Sequence, residues 1–407
     1  VASPTPDPSA RSRAGLPLRL LLVLALLAMT GPLASDLYLS GFPVMATDLG
    51  VSASQVQLTL TAFLLGMGAG QLVFGPVSDK YGRMRPLFVG SSVFALASVL
   101  VAMAPSWEVL VIARLLQGLS AGAGVVIGRA IIPDRVAGAG AARVFTIMMT
   151  ITGIAPAVAP LLGSGLLGLI DWRGILWVLA GAALLMLTCV LLVVRESLPP
   201  VRRRPGRTFG GLGVALRNRR FVGYIVMFGA TFGILMGYIS ASPFLYQSVI
   251  GLSPVHYGLA FGANALGMMI SGTIAARLVG RVPIRRTVSV AGCTALGLAV
   301  LFLVLVLVGV PAGWLAVPVF LLVSSIGFLM GNTTALALAE VRHVAGSGSA
   351  WLGGAQFAMG ALVSPLVGLA GEHSALPLGI ALSGSALLMV CALAYTADRF
   401  HTPDAGR

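Results

Sequence analysis

RESLPPVRRRPGRTFGGLGVALRNRR, residues 195–220, is the polar interruption from which the rest of the chain is read. It carries eight arginines, three prolines and four glycines, a composition that suits neither a buried helix nor a strand. On each side the character reverses. Towards both ends, apolar runs of about twenty residues follow one another with short breaks, each long enough to cross a bilayer core. They fall near 17–41, 53–76, 86–104, 107–131, 144–169 and 174–194 before the interruption. After it they fall near 221–247, 255–276, 287–309, 314–338, 350–370 and 375–396. A backbone in lipid must satisfy its own hydrogen bonds, and apolar runs of this length do so as helices. The reading is an all-α integral membrane protein of about 12 transmembrane helices in two six-helix halves.

Composition agrees. Of 407 residues, 57% are hydrophobic and 9% charged, and the mean hydropathy is +0.99. A soluble domain carries roughly 25% charged residues. The net charge of +14 invites a nucleic-acid reading, but the positions of the charges exclude it. With the N-terminus inside, 24 of the 26 Lys and Arg fall in or beside the inner connections and tails, leaving Arg114 within a span and Arg173 outside. That asymmetry is the positive-inside pattern. The expected divisions are a disordered tail 1–16, a six-helix half 17–194, a cytoplasmic linker 195–220, a second half 221–396 and a cytoplasmic tail 397–407. Both termini are expected in the cytoplasm and the chain in the cell's inner membrane. The first apolar run continues through Gly31, Pro32 and Asp36 without a small-residue cleavage site, so it reads as a retained span.

Cys189, Cys293 and Cys391 each sit in an apolar run and read as packing residues. The histidines at 256, 343, 373 and 401 have no ligand spacing. No metal, cofactor or catalytic set is expected; paired carboxylates and nucleophile–base pairs are missing from the sequence pattern.

The halves echo one another. A Gly-rich span leads into GPVSDKYGRMR at 75–85, and another into GTIAARLVGRVPIRR at 272–286, although the second copy lacks the acid. Parallel repeats around a central polar loop form a transporter plan, with binding between the halves near the midplane.

Four stretches carry a family resemblance. Gly75-Pro76-Val77-Ser78-Asp79-Lys80-Tyr81-Gly82-Arg83-Met84-Arg85 resembles the loop between the second and third spans of the major facilitator superfamily, with Met84 where a cation is usual. Leu110 to Ala121, containing Arg114, Gln117 and Gly118, resembles the fourth-span pattern of that family. Ile154 to Ser164, with Pro156, Pro160 and Gly163, resembles the antiporter motif of span five, Ala159 and Ser164 standing for two glycines. Its Ala-Pro repetition is similar to that of the bicyclomycin and chloramphenicol resistance branch of the drug:proton antiporters. Ser35 to Pro43 resembles the end of span one in the same branch, with Ser40 in place of a proline.

The resemblance implies a gate at Gly75, Asp79, Lys80, Gly82 and Arg83. There Asp79 faces the positive end of span eleven, near Ser347 or Ser349, while the inner side is closed. It implies that Pro156, Pro160 and Gly163 bend span five and bring it close to a neighbour. Asp36, the one acid placed firmly within a span, is the proton-coupling candidate, with Arg114 as its cation at similar depth. A carboxylate facing lipid is costly. Burial and a nearby cation act in opposite senses on its protonation, which suits a group that gains and loses a proton. The alternative is that Asp36 caps the outer end of span one in water. Asp36, Tyr38, Gln117, Tyr238, Asn264, Asn332 and Gln356 are the polar candidates for a largely apolar substrate cavity, although each also suits a helix-packing hydrogen bond. Met148 and Met149 offer an adaptable surface or fill gaps, and Phe232 and Phe244 suit packing better than recognition. The expected function is a monomeric, proton-driven exporter of a small lipophilic drug or antibiotic, its energy source the proton gradient. The alternatives are a proton-coupled importer on the same fold and a membrane receptor that moves nothing.

Overall fold

The computed structural model describes residues 16–136, 138–203, 212–341 and 345–396. All but one residue of the tail 1–16, the tail 397–407, linker residues 204–211, Arg342 and His343 lie outside the described residues. So do the side chains of Arg143, Met149, Arg202 and Ser347.

Among the described residues the chain is helical, with no strand beyond a single bridge between Val279 and Val282. Span one is broken: α1 (Leu18–Asp36) ends in a 3-10 turn at Leu39–Gly41, and α2 (Phe42–Leu49) continues it. Five further long helices complete the first half, α3 (Ala53–Tyr81), α4 (Met84–Met103), α5 (Trp107–Arg135), α6 (Gly138–Leu167) and α7 (Trp172–Val193). A short α8 (Leu212–Leu216) lies in the linker. The second half runs α9 (Arg219–Phe244), α10 (Pro254–Leu278), α11 (Ile284–Val308), α12 (Ala316–Glu340), α13 (Ala345–Leu366) and α14 (Leu376–Tyr395). These make twelve spans when α1 and α2 are counted as one. Ten of them are long and apolar enough individually to cross a membrane, and α6 and α13 complete the set.

Local sequence sets the ends. Ser52 and Gln55 form a reciprocal capping box that starts α3, and Asp171 accepts from the Gly174 amide at 2.7 Å to start α7. At the other end α3 runs through Gly75 and Pro76 to Tyr81. The turn expected across the whole motif is therefore confined to Gly82, whose φ of +92° favours glycine.

Two compact units are distinguished. One joins the described first-half helices to residues 239–266 and 361–377. The other gathers the described residues of 209–238, 267–360 and 378–407. In the first, α3 and α5 approach until their backbones touch. A methyl at Gly66 or Gly70 would enter the α5 backbone at Leu115 and Leu119, and one at Gly118 or Gly122 would enter α3 at Phe63 and Met67. Small residues four apart on both helices allow this packing. The second unit repeats the device between α10 and α12, where Gly327 lies against Met268 and Ser271.

Also within the first unit, the cation-poor ends of the first-half helices close on residues 239–266 and 361–377. Gln57 Nε2 donates to the Ser240 carbonyl at 3.1 Å, and Ser240 and Ser364 hydroxyls meet at 2.8 Å. Ser54 donates to the Pro365 carbonyl at 2.9 Å, and Gln247 to that of Ser40 at 3.1 Å.

Candidate functional site

The close α3–α5 crossing and the break in span one bring four of the expected residues together. Asp36 closes α1 and is only 4% exposed. The chain continues as membrane helix to Leu49, so Asp36 is an interior residue and not a water-exposed cap. Its Oδ1 accepts from Ser35 Oγ at 2.6 Å.

Arg114 lies two turns into α5 and is wholly buried. Its Nη1 donates to Gln117 Oε1 at 2.6 Å and its Nη2 to the Ala34 carbonyl at 2.7 Å. The guanidinium stands 4.1 Å over the Tyr38 ring and 4.8 Å over that of Phe63, contacts that favour a desolvated cation. Nε has no hydrogen-bond partner among the described residues. No ion pair joins Arg114 to Asp36 among the described residues.

Gln117 passes the chain on to Ser98 at 2.8 Å, and the Tyr38 hydroxyl meets Thr59 at 3.0 Å. In this conformation Tyr38 and Gln117 therefore hold Arg114. Asn264 donates to the Tyr246 hydroxyl at 3.1 Å and to the Ala260 carbonyl at 2.7 Å. In the second unit Tyr238 is buried in α9, Asn332 donates to Phe328 of its own helix at 2.9 Å, and Gln356 is half-buried in α13. Phe232 packs edge-on to Phe357 and Phe244 tilts on Phe42.

The antiporter-like stretch lies in α6, with Pro160 buried and Pro156 half-buried. Gly163 abuts the break in span one: a methyl there would overlap the Leu37 carbonyl oxygen and lie 2.9 Å from its carbon. The span-five glycine is thus seated one residue from Asp36.

The second cluster is at the cation-rich end. Asp79, half-exposed, pairs with Arg83 one turn on. Arg83 Nε meets Asp134 Oδ2 at 3.0 Å, and its Nη1 donates to Ser78 at 2.8 Å. The backbone amides of Arg83 and Met84 donate to Glu196 at 2.9 and 3.3 Å. Ser197 donates to Asp134 at 2.9 Å, and Arg135 to the Arg195 and Glu196 carbonyls. Burial opposes the Arg83 charge, but hydrogen bonds to Asp134 and Asp79 outweigh it and hold the guanidinium above its ordinary value. Burial likewise opposes the Glu196 charge. The amides of Leu198, Arg83, Met84 and Ser197 win, and hold its carboxyl below the ordinary 4.5. Lys80 stands over the Tyr81 ring at 5.0 Å. Asp134 and Glu196 were missed by motif reading. Their signal is scarcity, since the chain has only 12 acids and these two fall among arginines.

A family model described as Major Facilitator Superfamily matches residues 24–365. The chain belongs to the major facilitator superfamily. It is therefore a multi-pass membrane transporter of a small-molecule substrate and not an enzyme. An uncharacterized MFS-type transporter, YdgK, of Bacillus subtilis is 38% identical over 89% of this chain and 91% of its own. A bicyclomycin resistance protein homolog of Haemophilus influenzae is 27% identical over 93% and 96%. The multidrug resistance protein MdtL of Vibrio parahaemolyticus is 30% identical over 62% and 64%. Among solved structures, a mutant of the nucleoside transporter NupG superposes with a TM-score of 0.74 at 14% identity, over 93% of this chain and all of its own. That likeness concerns the superfamily fold alone.

Proposed function

We propose that this transporter is a proton-coupled antiporter that exports a small lipophilic drug or antibiotic by alternating access. It would lie in the cytoplasmic membrane with both termini inside and act as a monomer, with the proton gradient as its energy source and no cofactor. The observation that carries the reading is the buried Asp36 at the break in span one, with Arg114 donating to the carbonyl two residues before it and Gly163 packed against the carbonyl one residue after. A carboxylate kept from water needs a functional reason in a membrane span. This one sits where the antiporter-like helix can sense its state. The names of the bicyclomycin and multidrug resistance relatives favour a drug as substrate.

Substrate binds from the cytoplasm or inner leaflet while Asp36 is ionised. Protonation of Asp36 from the opposite side then competes with substrate and resets the carrier. Tyr238, Asn264, Asn332 and Gln356 orient the substrate. Asp79, with Gly75, Lys80, Gly82 and Arg83, governs closure at the cation-rich end by meeting the start of span eleven, and Pro156, Pro160 and Gly163 keep exchange obligatory.

Proteoliposomes loaded with chloramphenicol or ethidium test this. An imposed pH gradient is expected to drive substrate against its concentration, and Asp36→Asn, a mimic of the protonated acid, to abolish gradient-driven export and weaken substrate binding. Uptake in the direction of proton flow would make the protein an importer. Normal gradient-driven export by Asp36→Asn would refute the coupling role.

A further inference from the structure

A cavity of about 490 Å³ lies wholly within the second compact unit, between the last turn of α10 and the first halves of α11 and α12. One wall is a single face of α11, with Arg286, Val290, Thr294 and Leu298 at four-residue steps; Leu321 and Phe328 of α12 face it. Val290 is 62% exposed and Leu321 45% exposed, so the cavity opens on a surface that lies in hydrocarbon.

Arg286 stands in the first turn of α11, at the cation-rich end of the spans. From it to Leu298 the helix rises about 18 Å, close to the roughly 15 Å of one leaflet's hydrocarbon. The α11 wall is therefore about one leaflet deep, with a cation at its headgroup end. Arg285 is engaged, donating to the Thr396 carbonyl at 3.1 Å. Arg277, Arg281 and Arg286 are exposed, and none has an acidic partner among the described residues. An unpaired guanidinium at this depth attracts phosphate oxygens, which it can meet with two parallel hydrogen bonds.

We propose that this cavity is a binding site for an anionic phospholipid, its phosphate on Arg286 and one acyl chain lying along Val290, Thr294 and Leu298. A free anion would leave the apolar wall uncovered, and a neutral amphiphile would leave Arg286 unpaired. Apolar length and charge together select a lipid with net negative charge.

The test is native mass spectrometry of the full chain, released from detergent and titrated with phosphatidylglycerol or phosphatidylcholine of the same chain length. Wild type is expected to retain one phosphatidylglycerol in preference to phosphatidylcholine. Arg286→Gln should lower that preference by roughly tenfold, the worth of one charge-assisted hydrogen bond. Val290→Trp, which fills the groove, should remove the retained lipid whatever its head. Both side chains are exposed, so matched melting temperatures check that the variants fold. Equal retention of the two lipids by wild type, an unchanged preference in Arg286→Gln, or full retention by Val290→Trp would each overturn the assignment.

Discussion

Replacing Gly163 with alanine probes the contact between the antiporter-like helix and Asp36, and Gly165 supplies its control. The two glycines lie two residues apart in α6 and the chemical change is the same. Around Gly165 there is open space, whereas a methyl at Gly163 overlaps the Leu37 carbonyl oxygen and lies 2.9 Å from its carbon. Ordinary carbon–carbon contact is about 3.5–4.0 Å, so the helices must part by at least about 0.6–1.1 Å. Alanine in place of a helical glycine gains up to about 1 kcal/mol at both sites. Overpacking of this kind costs about 1–3 kcal/mol at Gly163 alone. The difference between the variants isolates the contact. At roughly 2 °C per kcal/mol for a large domain, Gly163→Ala should melt about 2–6 °C below Gly165→Ala in the same detergent. In proteoliposomes Gly165→Ala should transport as wild type does. Gly163→Ala should lose gradient-driven transport, because the residue displaced is the neighbour of Asp36. If the two variants melt and transport alike, the contact does not position the carboxylate and the reasoning fails.

Arg114→Lys keeps the charge but cannot reach Gln117 and Ala34 together. A stability loss of about 2–3 kcal/mol should appear in thermal melts, with transport lost. Glu196 has a depressed folded value, so its contribution is complete above the ordinary 4.5 and is lost as pH falls through the folded value below it. Wild type should therefore soften as pH is lowered beneath about 4.5, and Glu196→Gln should start less stable and show a flatter profile in melts between pH 3 and 6. Gln57→Leu removes the bond to Ser240. A cysteine placed at Ser54 should then be labelled about fivefold faster from the cation-poor side, the effect of roughly 1 kcal/mol on opening; unchanged labelling would remove Gln57 from the closure.

Hydropathy made the spans legible because lipid imposes one requirement on every residue of a long helix. It was blind to where helices bend or end. The stretch Gly41-Phe42-Pro43 reads as a stop, yet the span resumes through Val44, Met45 and Ala46 to Leu49, which sets Asp36 further from the span's end than the expected limit at 41. Ser78, Asp79 and Lys80 end an apolar run but do not end a helix, since within residues 75–85 only Gly82 requires a left-handed backbone. The site was half legible. Arg114 and Gln117 share a helix face, so their pairing follows from spacing, and Asp36 stands out as an acid in an apolar run. The partners of Arg83 are 51 residues away at Asp134 and 113 away at Glu196. No periodicity links residues at such separations.

The break in span one has a consequence for how its shape is held. In an unbroken helix the Ala34 carbonyl would accept from the amide of Tyr38; here it accepts from Arg114 instead. A guanidinium from one helix takes the role of a missing peptide donor in another. Straightening residues 37–41 would bring the Tyr38 amide to the same carbonyl, whose two lone pairs would then be shared between a peptide donor and the cation. The bend and the buried charge therefore meet at one acceptor. Moving Arg114 away would leave the Ala34 carbonyl to the amide of Tyr38 and so favour a straighter span one.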